Sequence, residues 1–550
     1  MANMPLRNVG QYGVVADIDP NDLPPNTFND GSNVIFNDNR VMRAPVLKDL
    51  FNQTAQNAQH TGVAGAFTYN NPDDGAVICV AHTDNTVTSY IDGVADDVTP
   101  SGAITSGTDD APFVHTEVAG LSVLCRKTTE PYIRDHVSAL DYSLMSVGDW
   151  PSADRAVSMR GFKDFIIALN VTQSGVVYDT MVKWTDVVQY RANPASGVVW
   201  TPSAANSAGS TILANFKTPI VDGLPLNNAF IIYSTTETAI MEFTGSEFVF
   251  SFRKFYDRDG MISQNCAVST GKEHYVFGDT DIYMHNGITM ESIAVGRVKE
   301  RIYRELRRED KHKFFVHLDE INDLVYFCYV SDESNIGYPS THYCNRAAVY
   351  NLKSKTWSFV DLPNVVGAGQ SNISLSATSY ATQTASYAAT ANPYNSYQDT
   401  SPRISVFVSA RDDTNSITAG RVYANDLLVT GLLNTVANPE ALKPAFVERR
   451  GLDLDETQAP LRSYKQVVSM IPQIITVSGA APVAVKLGFT DLPYDDSPTY
   501  VTNYNFVPNI DHKIDSKAAG RLLAYRIEES SGEYFSFSAA DFDLSVYSER

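Results

Sequence analysis

The feature that most constrains the fold of this chain is a repeated pair of strand-forming segments. Each copy has about five residues rich in Val, Ile, Tyr and Phe, then a turn, then a second segment that carries a tyrosine. The first segments begin near residues 76, 121, 165, 229, 274, 324 and 404, so successive copies are 45, 44, 64, 45, 50 and 80 residues apart. Four of these six intervals fall in the range of about 40 to 50 residues that is typical of four-stranded propeller blades.

The two long intervals contain insertions. Residues 193–210 form a small one, and residues from about 365 to 403 form a larger one dominated by Ser, Ala, Thr, Asn and Tyr. A tract of this composition has too little apolar bulk to build a core, so we expect an extended loop. Its tyrosines are Tyr380, Tyr387, Tyr394 and Tyr397.

The fold class that this pattern predicts is all-β, with a β-propeller of six to eight blades and a second β-rich platform or sandwich domain. We expect an N-terminal extended segment over residues 1–60, the propeller over 61–440 with its insertion at about 365–403, and the platform domain over 441–550. The last region alternates apolar and polar residues as a half-buried antiparallel sheet does. A series of ordinary β-meanders without radial symmetry is the alternative, because any all-β chain contains strand pairs.

One segment, residues 295–313, departs from the β pattern and predicts an amphipathic helix. Its apolar positions recur at helical spacing and are Val295, Val298, Ile302 and Leu306. Its basic residues form the densest cluster in the chain and are Arg297, Lys299, Arg301, Arg304, Arg307, Arg308, Lys311 and Lys313. Interspersed acidic residues favour a solvated face with internal ion pairs. A helix that docks on an acidic surface of a neighbouring subunit or partner is the first alternative, and DNA contact is the second.

The sequence lacks the common catalytic motifs. There is no Gly-rich phosphate loop, no His-Glu-x-x-His and no Gly-x-Ser-x-Gly elbow. His312 and His317 are five residues apart, a spacing that does not suit two metal ligands on one helix face, so we expect them to be solvated or to cap the helix. We therefore predict no catalytic, cofactor-binding or metal-binding residues, no cofactor and no enzymatic activity.

Two acidic clusters and five cysteines have simpler explanations than metal or redox chemistry. Residues 17–22 begin like a calcium loop, but Asp22 stands where such a loop needs glycine, so we expect a surface turn. Asp453, Asp455 and Glu456 predict a solvated charged edge. The cysteines are Cys79, Cys125, Cys266, Cys328 and Cys344, and we expect them to behave as small hydrophobic residues.

The charge balance narrows the classes of partner. The chain has 63 acidic and 42 basic side chains and a net charge of −21. This balance argues against broad electrostatic capture of phosphate backbones. No apolar run approaches the roughly 20 residues of a membrane span, and we expect neither a span nor a secretory leader.

Several segments resemble the tail nozzle (tail tubular protein B-like) proteins of short-tailed, podovirus-type bacteriophages. Across the first two of them, Leu23-Pro24 precedes an aromatic residue, the run Asn33-Val-Ile-Phe36, a short turn, a basic residue and Pro45. The similar segments are residues 13–28, 33–45, 229–253, 274–287, 347–357, 520–521 and 541–546. The resemblance therefore covers pieces from most of the chain.

The resemblance implies a structural component of a phage virion. Such proteins are β-propellers joined to a platform domain, and six copies form a ring around the DNA channel that retains the genome and passes it during ejection. Their partners are the tail adaptor and portal-side proteins above, tail fibres or a tip protein, and double-stranded DNA that passes without tight binding. The implied location is the virion tail, assembled in the host cytoplasm, and no catalytic residues come with the family.

Two other functions compete with the ring subunit. A propeller-type receptor- or glycan-binding tail protein would need an exposed aromatic platform, for which the Tyr-rich insertion is the available candidate. A depolymerising hydrolase would need two carboxylates across a cleft. With 63 acidic residues such pairs occur by chance, and the Ser-x-Asp-x-Gly-x-x-Trp turns of sialidase-type propellers are absent from the sequence.

Overall fold

The computed structural model confirms the all-β class. It describes residues 2–49, 62–71, 75–91, 94–105, 111–135, 141–245, 249–333, 342–372, 403–410, 421–426, 443–453, 463–477, 481–492 and 497–547. Strands hold 55 % of these described residues and helices 4 %, in several small antiparallel sheets. Because the predicted insertion and its four tyrosines fall mostly on residues 373–402, they lie outside the described residues.

The described part of the N-terminal segment contains five short strands. They are β1 (Ala2–Arg7), β2 (Asp30–Ser32), β3 (Val34–Asn37), β4 (Arg40–Arg43) and β5 (Val46–Asp49). A two-residue turn at Asp38 and Asn39 joins β3 to β4, with φ of 49° and 61°. Positive φ at both central positions matches the twist of the flanking strands, and Asp and Asn tolerate it.

Five four-stranded sheets follow one another along the chain, and consecutive strands are neighbours in each. The first contains β6 (Val63–Asn71), β7 (Gly75–His82), β8 (Val87–Ile91) and β9 (Val94–Asp97). The second contains β10 (Val114–Val118), β11 (Leu121–Cys125), β12 (Tyr132–Asp135) and β13 (Ser143–Leu144). The third contains β14 (Arg155–Phe162), β15 (Phe165–Gln173), β16 (Val176–Trp184) and β17 (Gly209–Ile212).

The fourth and fifth sheets repeat the arrangement. The fourth contains β18 (Ile220–Leu226), β19 (Ala229–Ser234), β20 (Thr238–Phe243) and β21 (Phe250–Tyr256). The fifth contains β22 (Ala267–Ser269), β23 (His274–Phe277), β24 (Ile282–His285) and β25 (Met290–Ser292).

The sixth sheet has seven strands. They are β26 (Phe315–Asp319), β27 (Leu324–Tyr329), β28 (Cys344–Asn351), β29 (Trp357–Asn372), β30 (Arg403–Ser409), β31 (Val422–Asp426) and the N-terminal strand β5. The first half of β29 pairs with β28 and its second half pairs with β30, with register shifts near Val365. β29 continues to Asn372, past the position at which the insertion was expected to begin.

Each of the seven predicted repeat segments occupies the same place in this architecture, directly after a partner strand. The seven predicted first segments are β7, β11, β15, β19, β23, β27 and β30, each of which follows a partner strand in its own sheet. The strands before them are in contact from one sheet to the next: β6 with β10, then β14, β18, β22, β26 and β29, and β29 contacts β6 again. These seven strands therefore form a closed cycle of contacts.

The C-terminal region forms two sheets with the N-terminal strands. Its strands are β32 (Ala445–Leu452), β33 (Tyr464–Thr476), β34 (Val483–Thr490), β35 (Thr499–Phe506), β36 (Ile514–Asp515), β37 (Ala519–Gly520), β38 (Leu522–Glu529) and β39 (Phe535–Tyr547). One sheet has the order β2-β32-β38-β34-β35, and the other includes β1, β3, β4, β33, β36, β37 and β39. Tyr525 of the first packs against Phe542 of the second, with ring centroids 5.8 Å apart.

The predicted helix over 295–313 is wrong in extent. Helix α1 spans only Lys299–Glu305, and a 3-10 helix follows at Arg308–Lys313; others are at Pro20–Asp22 and Met145–Val147. The chain leaves the helix because Leu306 is extended and bridges to Ser331, while the Arg307 amide donates to the Val330 carbonyl. Ile302 is fully buried as predicted, whereas Val295 is 57 % exposed.

Candidate functional site

A cavity of about 430 Å³ lies where the seven strands of the cycle converge. Residues from each of these strands contribute to its wall, among them Thr68 of β6, Arg160 of β14, His317 of β26 and Gln370 of β29. The volume is within the range of small-molecule pockets. We refer to it as the axial cavity and take it as the candidate site.

Arg160 connects four strands of the cycle at the wall of this cavity. Its guanidinium binds the Asp222 carboxylate of β18 through two contacts, Nε to Oδ1 at 2.9 Å and Nη2 to Oδ2 at 2.6 Å. It also donates to the His115 carbonyl of β10 and to Asn265 Oδ1, next to β22. Asn265 in turn donates from its backbone to Asp222 and from Nδ2 to the Phe113 carbonyl. We call this set of Arg160, Asp222 and Asn265 the axial network.

The electrostatics of the axial network depend on its internal pairing. Asp222 is fully buried, and burial by itself would raise the pKa of its carboxyl. The adjacent Arg160 charge and the hydrogen bonds from Arg160, Ser158 and Asn265 nevertheless hold this pKa below its ordinary value. Both groups therefore stay charged at neutral pH, and the pair is nearly neutral towards the cavity.

The rest of the wall is mixed. His115 stacks on Phe67, with ring centroids 4.6 Å apart and planes inclined by 10°. On the other side, Lys313 Nζ lies 4.5 Å from the centroid of the Tyr343 ring. The cavity thus combines aromatic faces with a few polar groups, an arrangement that can hold a small polar molecule but no long polymer.

Two glycines let β29 approach β6 closely where the last strand of the cycle meets the first. A Cβ added at Gly367 would lie 2.7 Å from the backbone nitrogen and oxygen of Ala66. At Gly369 it would lie 2.4 Å from Thr68 Oγ1. The Thr68 hydroxyl donates to the Gln370 carbonyl at 2.9 Å, so the two ends of the cycle are in direct contact.

His317 is not the solvated or capping residue that the sequence predicted. It is a buried residue of β26, and its Nε2 lies 3.0 Å from Ser405 Oγ. Burial lowers the pKa of His317 to about 4, so its imidazole is neutral at pH 7. His312 is half-buried in the 3-10 helix. In the described ranges, no three His, Cys, Asp or Glu side chains are grouped to hold a metal ion.

The basic cluster of residues 297–313 forms mostly ion pairs within the chain. Arg301 Nη1 lies 2.8 Å from Asp30 Oδ1, and its Nε lies 3.0 Å from Glu305 Oε1. Arg307 pairs with three carboxylates, those of Glu309, Asp310 and Asp332. Lys313 also pairs with Asp310, and Arg308 pairs with Asp279. Arg304 and Lys311 are exposed. The prediction of a charged face with internal ion pairs therefore describes this segment better than a free basic docking surface does.

The acidic clusters have structural roles. Asp17 accepts hydrogen bonds from the backbone amides of Glu300 at 2.9 Å and Arg301 at 3.1 Å, and so stabilises the start of α1. Pro20–Asp22 is a 3-10 turn with Asp22 exposed, in agreement with the predicted surface turn. Asp453 pairs with the buried ammonium of Lys465, whereas Asp455 and Glu456 lie outside the described residues.

The five cysteines are buried and unlinked, which confirms their predicted packing role. Burial raises the pKa of Cys79 to about 11 and that of Cys125 to about 12, so these thiols stay protonated at neutral pH. In the portions of the chain that the structure describes, no helix is long and apolar enough to cross a bilayer.

No protein-family model and no curated protein matches this chain. The function must therefore be inferred from the geometry and from the resemblance of the segments quoted above.

The axial network was not predicted from the sequence. Arg160 lies in β14, RAVSMRGF, which also contains Arg155, and Asp222 is the one charged residue of β18, IVDGLPL. A buried charge requires a partner of opposite sign, so each signals an unidentified contact. Because the two residues are 62 positions apart in the sequence, no local pattern indicated that they were partners.

Proposed function

We propose that this chain is a structural ring subunit of a short phage tail, a nozzle protein that surrounds the DNA channel. Its cyclic array of sheets would be a seven-bladed β-propeller, and its C-terminal pair of sheets would be the platform. The likeness to tail tubular proteins supplies the function, and the closed cycle of strands carries the architectural part of the proposal.

The seventh blade follows from how the sixth sheet is divided. The strands β26, β27, β28 and the first half of β29 make one four-stranded unit, and the second half of β29 with β30, β31 and β5 makes another. With the five preceding sheets, this gives seven units of four strands. The last blade then contains a strand from the beginning of the chain, a closure that protects sheet edges and stabilises a propeller.

The axis of one propeller offers no route for DNA. The axial network lies at the wall of the axial cavity, whose volume of about 430 Å³ suits a small molecule rather than a duplex. A channel for double-stranded DNA must therefore be enclosed by several copies. We propose six copies in a closed ring, docked on the tail adaptor and portal-side proteins and carrying tail fibres or a tip protein below.

The charge supports passage rather than tight binding. A net charge of −21 for each copy gives the ring a strongly negative field. DNA that meets such a surface is repelled, whereas a basic wall would release counterions and hold it. The proposed role is mechanical, without an enzymatic step.

Light scattering and negative-stain microscopy of the full chain test this function. We expect closed six-fold rings with an axial hole and a mass about six times the 60.4 kDa of the chain. In a gel-shift assay at physiological salt, the rings should leave linear duplex DNA unshifted. Compact monomers at every protein concentration would overturn the ring, and a stable DNA complex would overturn the non-adhesive channel.

The axial cavity favours one second candidate, a receptor- or glycan-binding tail protein. Its aromatic and polar wall suits a small sugar, with Phe113, His115 and Tyr343 as stacking and hydrogen-bonding groups. Glycan-array binding that is lost in Tyr343→Ala and kept in the exposed variant Tyr190→Ala would favour this candidate. Rings without glycan binding would favour the nozzle.

A further inference from the structure

Strand β35 forms an open edge of the C-terminal sheet β2-β32-β38-β34-β35. It has eight residues, Thr499–Phe506, and in the described part of the chain it pairs with β34 alone. Five of its side chains are exposed, among them Val501 at 53 % and Tyr504 at 38 %. The outward backbone amides and carbonyls of such an edge are available to another strand.

The sequence of β35 lacks the charged residues and prolines that normally prevent edge-to-edge pairing. TYVTNYNF has no charged residue and no proline, and it is rich in β-branched and aromatic residues. The last strands of three of the four-stranded sheets do carry charges: two aspartates in β9, Arg253 and Lys254 in β21, and Glu291 in β25. The last strands of the other two, β13 and β17, are also uncharged but are shorter than β35.

The backbone register along β35 suits further pairing. From Val483↔Phe506 to Leu487↔Thr502 the pairs with β34 are consecutive. The next pair is Gly488↔Tyr500, so Val501 is an unpaired bulge residue that lies just before this regular stretch. A regular stretch of five residues therefore presents alternate amides and carbonyls outward. Main-chain hydrogen bonds to such an edge supply affinity, and the flanking side chains supply specificity.

The charge of the molecule indicates which partner this edge accepts. Two copies with a net charge of −21 each repel one another over most of their surfaces. An uncharged edge is where they can approach at the lowest electrostatic cost. We propose that β35 pairs with a strand of a second copy of this chain, so that the C-terminal sheet continues across the subunit boundary. This inference rests on the proposed ring and names one of its contacts.

A matched pair of Val→Lys variants tests the contact. Val501→Lys places a charge on the edge, whereas Val177→Lys makes the same change at the tip of the β15–β16 hairpin, where Val177 is 64 % exposed. We expect Val501→Lys to weaken self-association at least tenfold in sedimentation velocity and Val177→Lys to leave it unchanged. Asn503→Lys, on the same strand, should act like Val501→Lys. Equal thermal midpoints would show that all three variants are folded.

Hydrogen–deuterium exchange locates the contact directly. Amides of residues 499–506 that point away from β34 should exchange quickly in the dilute monomer and become protected on assembly. Rings that form normally in Val501→Lys and Asn503→Lys, without protection of β35, would overturn this inference and leave the nozzle intact. Open chains or dimers that both variants abolish would uphold the edge contact and overturn the closed ring. Monomers at every concentration would overturn both.

Discussion

At the residue scale, the structure contains a buried chain of hydrogen bonds whose donors and acceptors can be assigned throughout. The Pro225 carbonyl only accepts, so His274 Nε2 carries the proton in their 2.9 Å contact. His274 Nδ1 must then accept from the Tyr233 hydroxyl at 2.7 Å, and that hydroxyl accepts from His285 Nε2 at 2.6 Å. His285 Nδ1 accepts from the Gly287 amide. Both imidazoles are therefore neutral, and Tyr233 serves as donor and acceptor at once.

Replacing Tyr233 with Phe should destabilise the protein, although the aromatic side chain at this position is kept. The change leaves a buried imidazole donor and a buried imidazole acceptor without partners, which should cost about 2–4 kcal/mol of unfolding free energy in urea titrations. Tyr504→Phe is the matched control, because the Tyr504 hydroxyl donates to Asp511 at the exposed surface. It should leave the midpoint unchanged, and equal midpoints for both variants would contradict the assignment.

Lowering the pH should destabilise the fold at pH values well above those at which its carboxylates become protonated. Burial lowers the pKa of His274 and His317 to about 4 and that of His285 to about 3. Unfolded imidazoles titrate near about 6.5, so below that pH the unfolded chain binds protons that the folded chain does not. Stability is fully present above pH 6.5 and falls as the pH decreases towards 4.

Urea unfolding at a series of pH values from 7.5 to 5 measures this effect. The unfolding free energy should change by about 1.4 kcal/mol per pH unit for each proton taken up on unfolding, and three histidines should contribute to this slope. His317→Gln should lower this slope by the contribution of up to one proton. A stability that is constant between pH 7 and 5 would contradict the buried neutral state.

At the scale of elements, local pattern predicted strands well and their partners poorly. All seven predicted repeat segments are strands, because runs of β-branched and aromatic residues between turns specify a half-buried or buried pleated surface. The helix was overestimated because Leu306 fits the apolar spacing but takes an extended conformation that only its bridge to Ser331 explains. The axial network depends on strands from different sheets that meet at the wall of the axial cavity, which no local pattern encodes.

The axial network should be the most sensitive point at which the sheets join. Asp222→Asn leaves the Arg160 charge without its buried counter-ion, which should cost about 3–5 kcal/mol of unfolding free energy. The double variant Arg160→Met/Asp222→Asn should lose less than the sum of the two single changes, because the two groups interact directly. The control is Asp323→Asn, which removes the less buried ion pair with Lys353 at a turn where Asn tolerates the φ of 54°. It should leave the unfolding free energy nearly unchanged. Additive losses at Arg160 and Asp222 would contradict the pairing.

At the scale of the whole molecule, the N-terminal strands join the two ends of the chain. β5 completes the sixth sheet beside β31, while β1 and β4 pair with β39. The sequence did not indicate these pairings, since the segment has the composition of an extended arm and its partners lie far away in the chain, from 374 residues for Asp49 and Tyr423 to 542 residues for Ala2 and Leu544. One hydrophobic core continues from the N-terminal strands into the fifth and sixth sheets and the C-terminal pair.

This continuity predicts one cooperative unfolding transition for the whole chain. The four tryptophans, Trp150, Trp184, Trp200 and Trp357, all precede the C-terminal region, so their fluorescence reports on the sheets before it. Far-UV circular dichroism reports on every strand. We expect the two signals to coincide in urea, because unfolding either part removes strands or core contacts from the other. Dichroism that persists after the fluorescence change is complete would show two independent units.

Asn33 provides the sharpest test of that coupling. Its side-chain Nδ2 donates to Asp361 Oδ2 and to the Pro444 carbonyl, both at 3.0 Å, and its side-chain Oδ1 accepts from the Asp361 backbone amide at 2.9 Å. Asn33→Gly keeps the φ of 59° accessible but removes all three bonds, which should cost about 2–3 kcal/mol and lower both midpoints together. Asn227→Gly is the matched control, with a φ of 53° in an exposed hairpin turn. A shift in one signal alone would mean that Asn33 stabilises one part of the molecule and does not couple them.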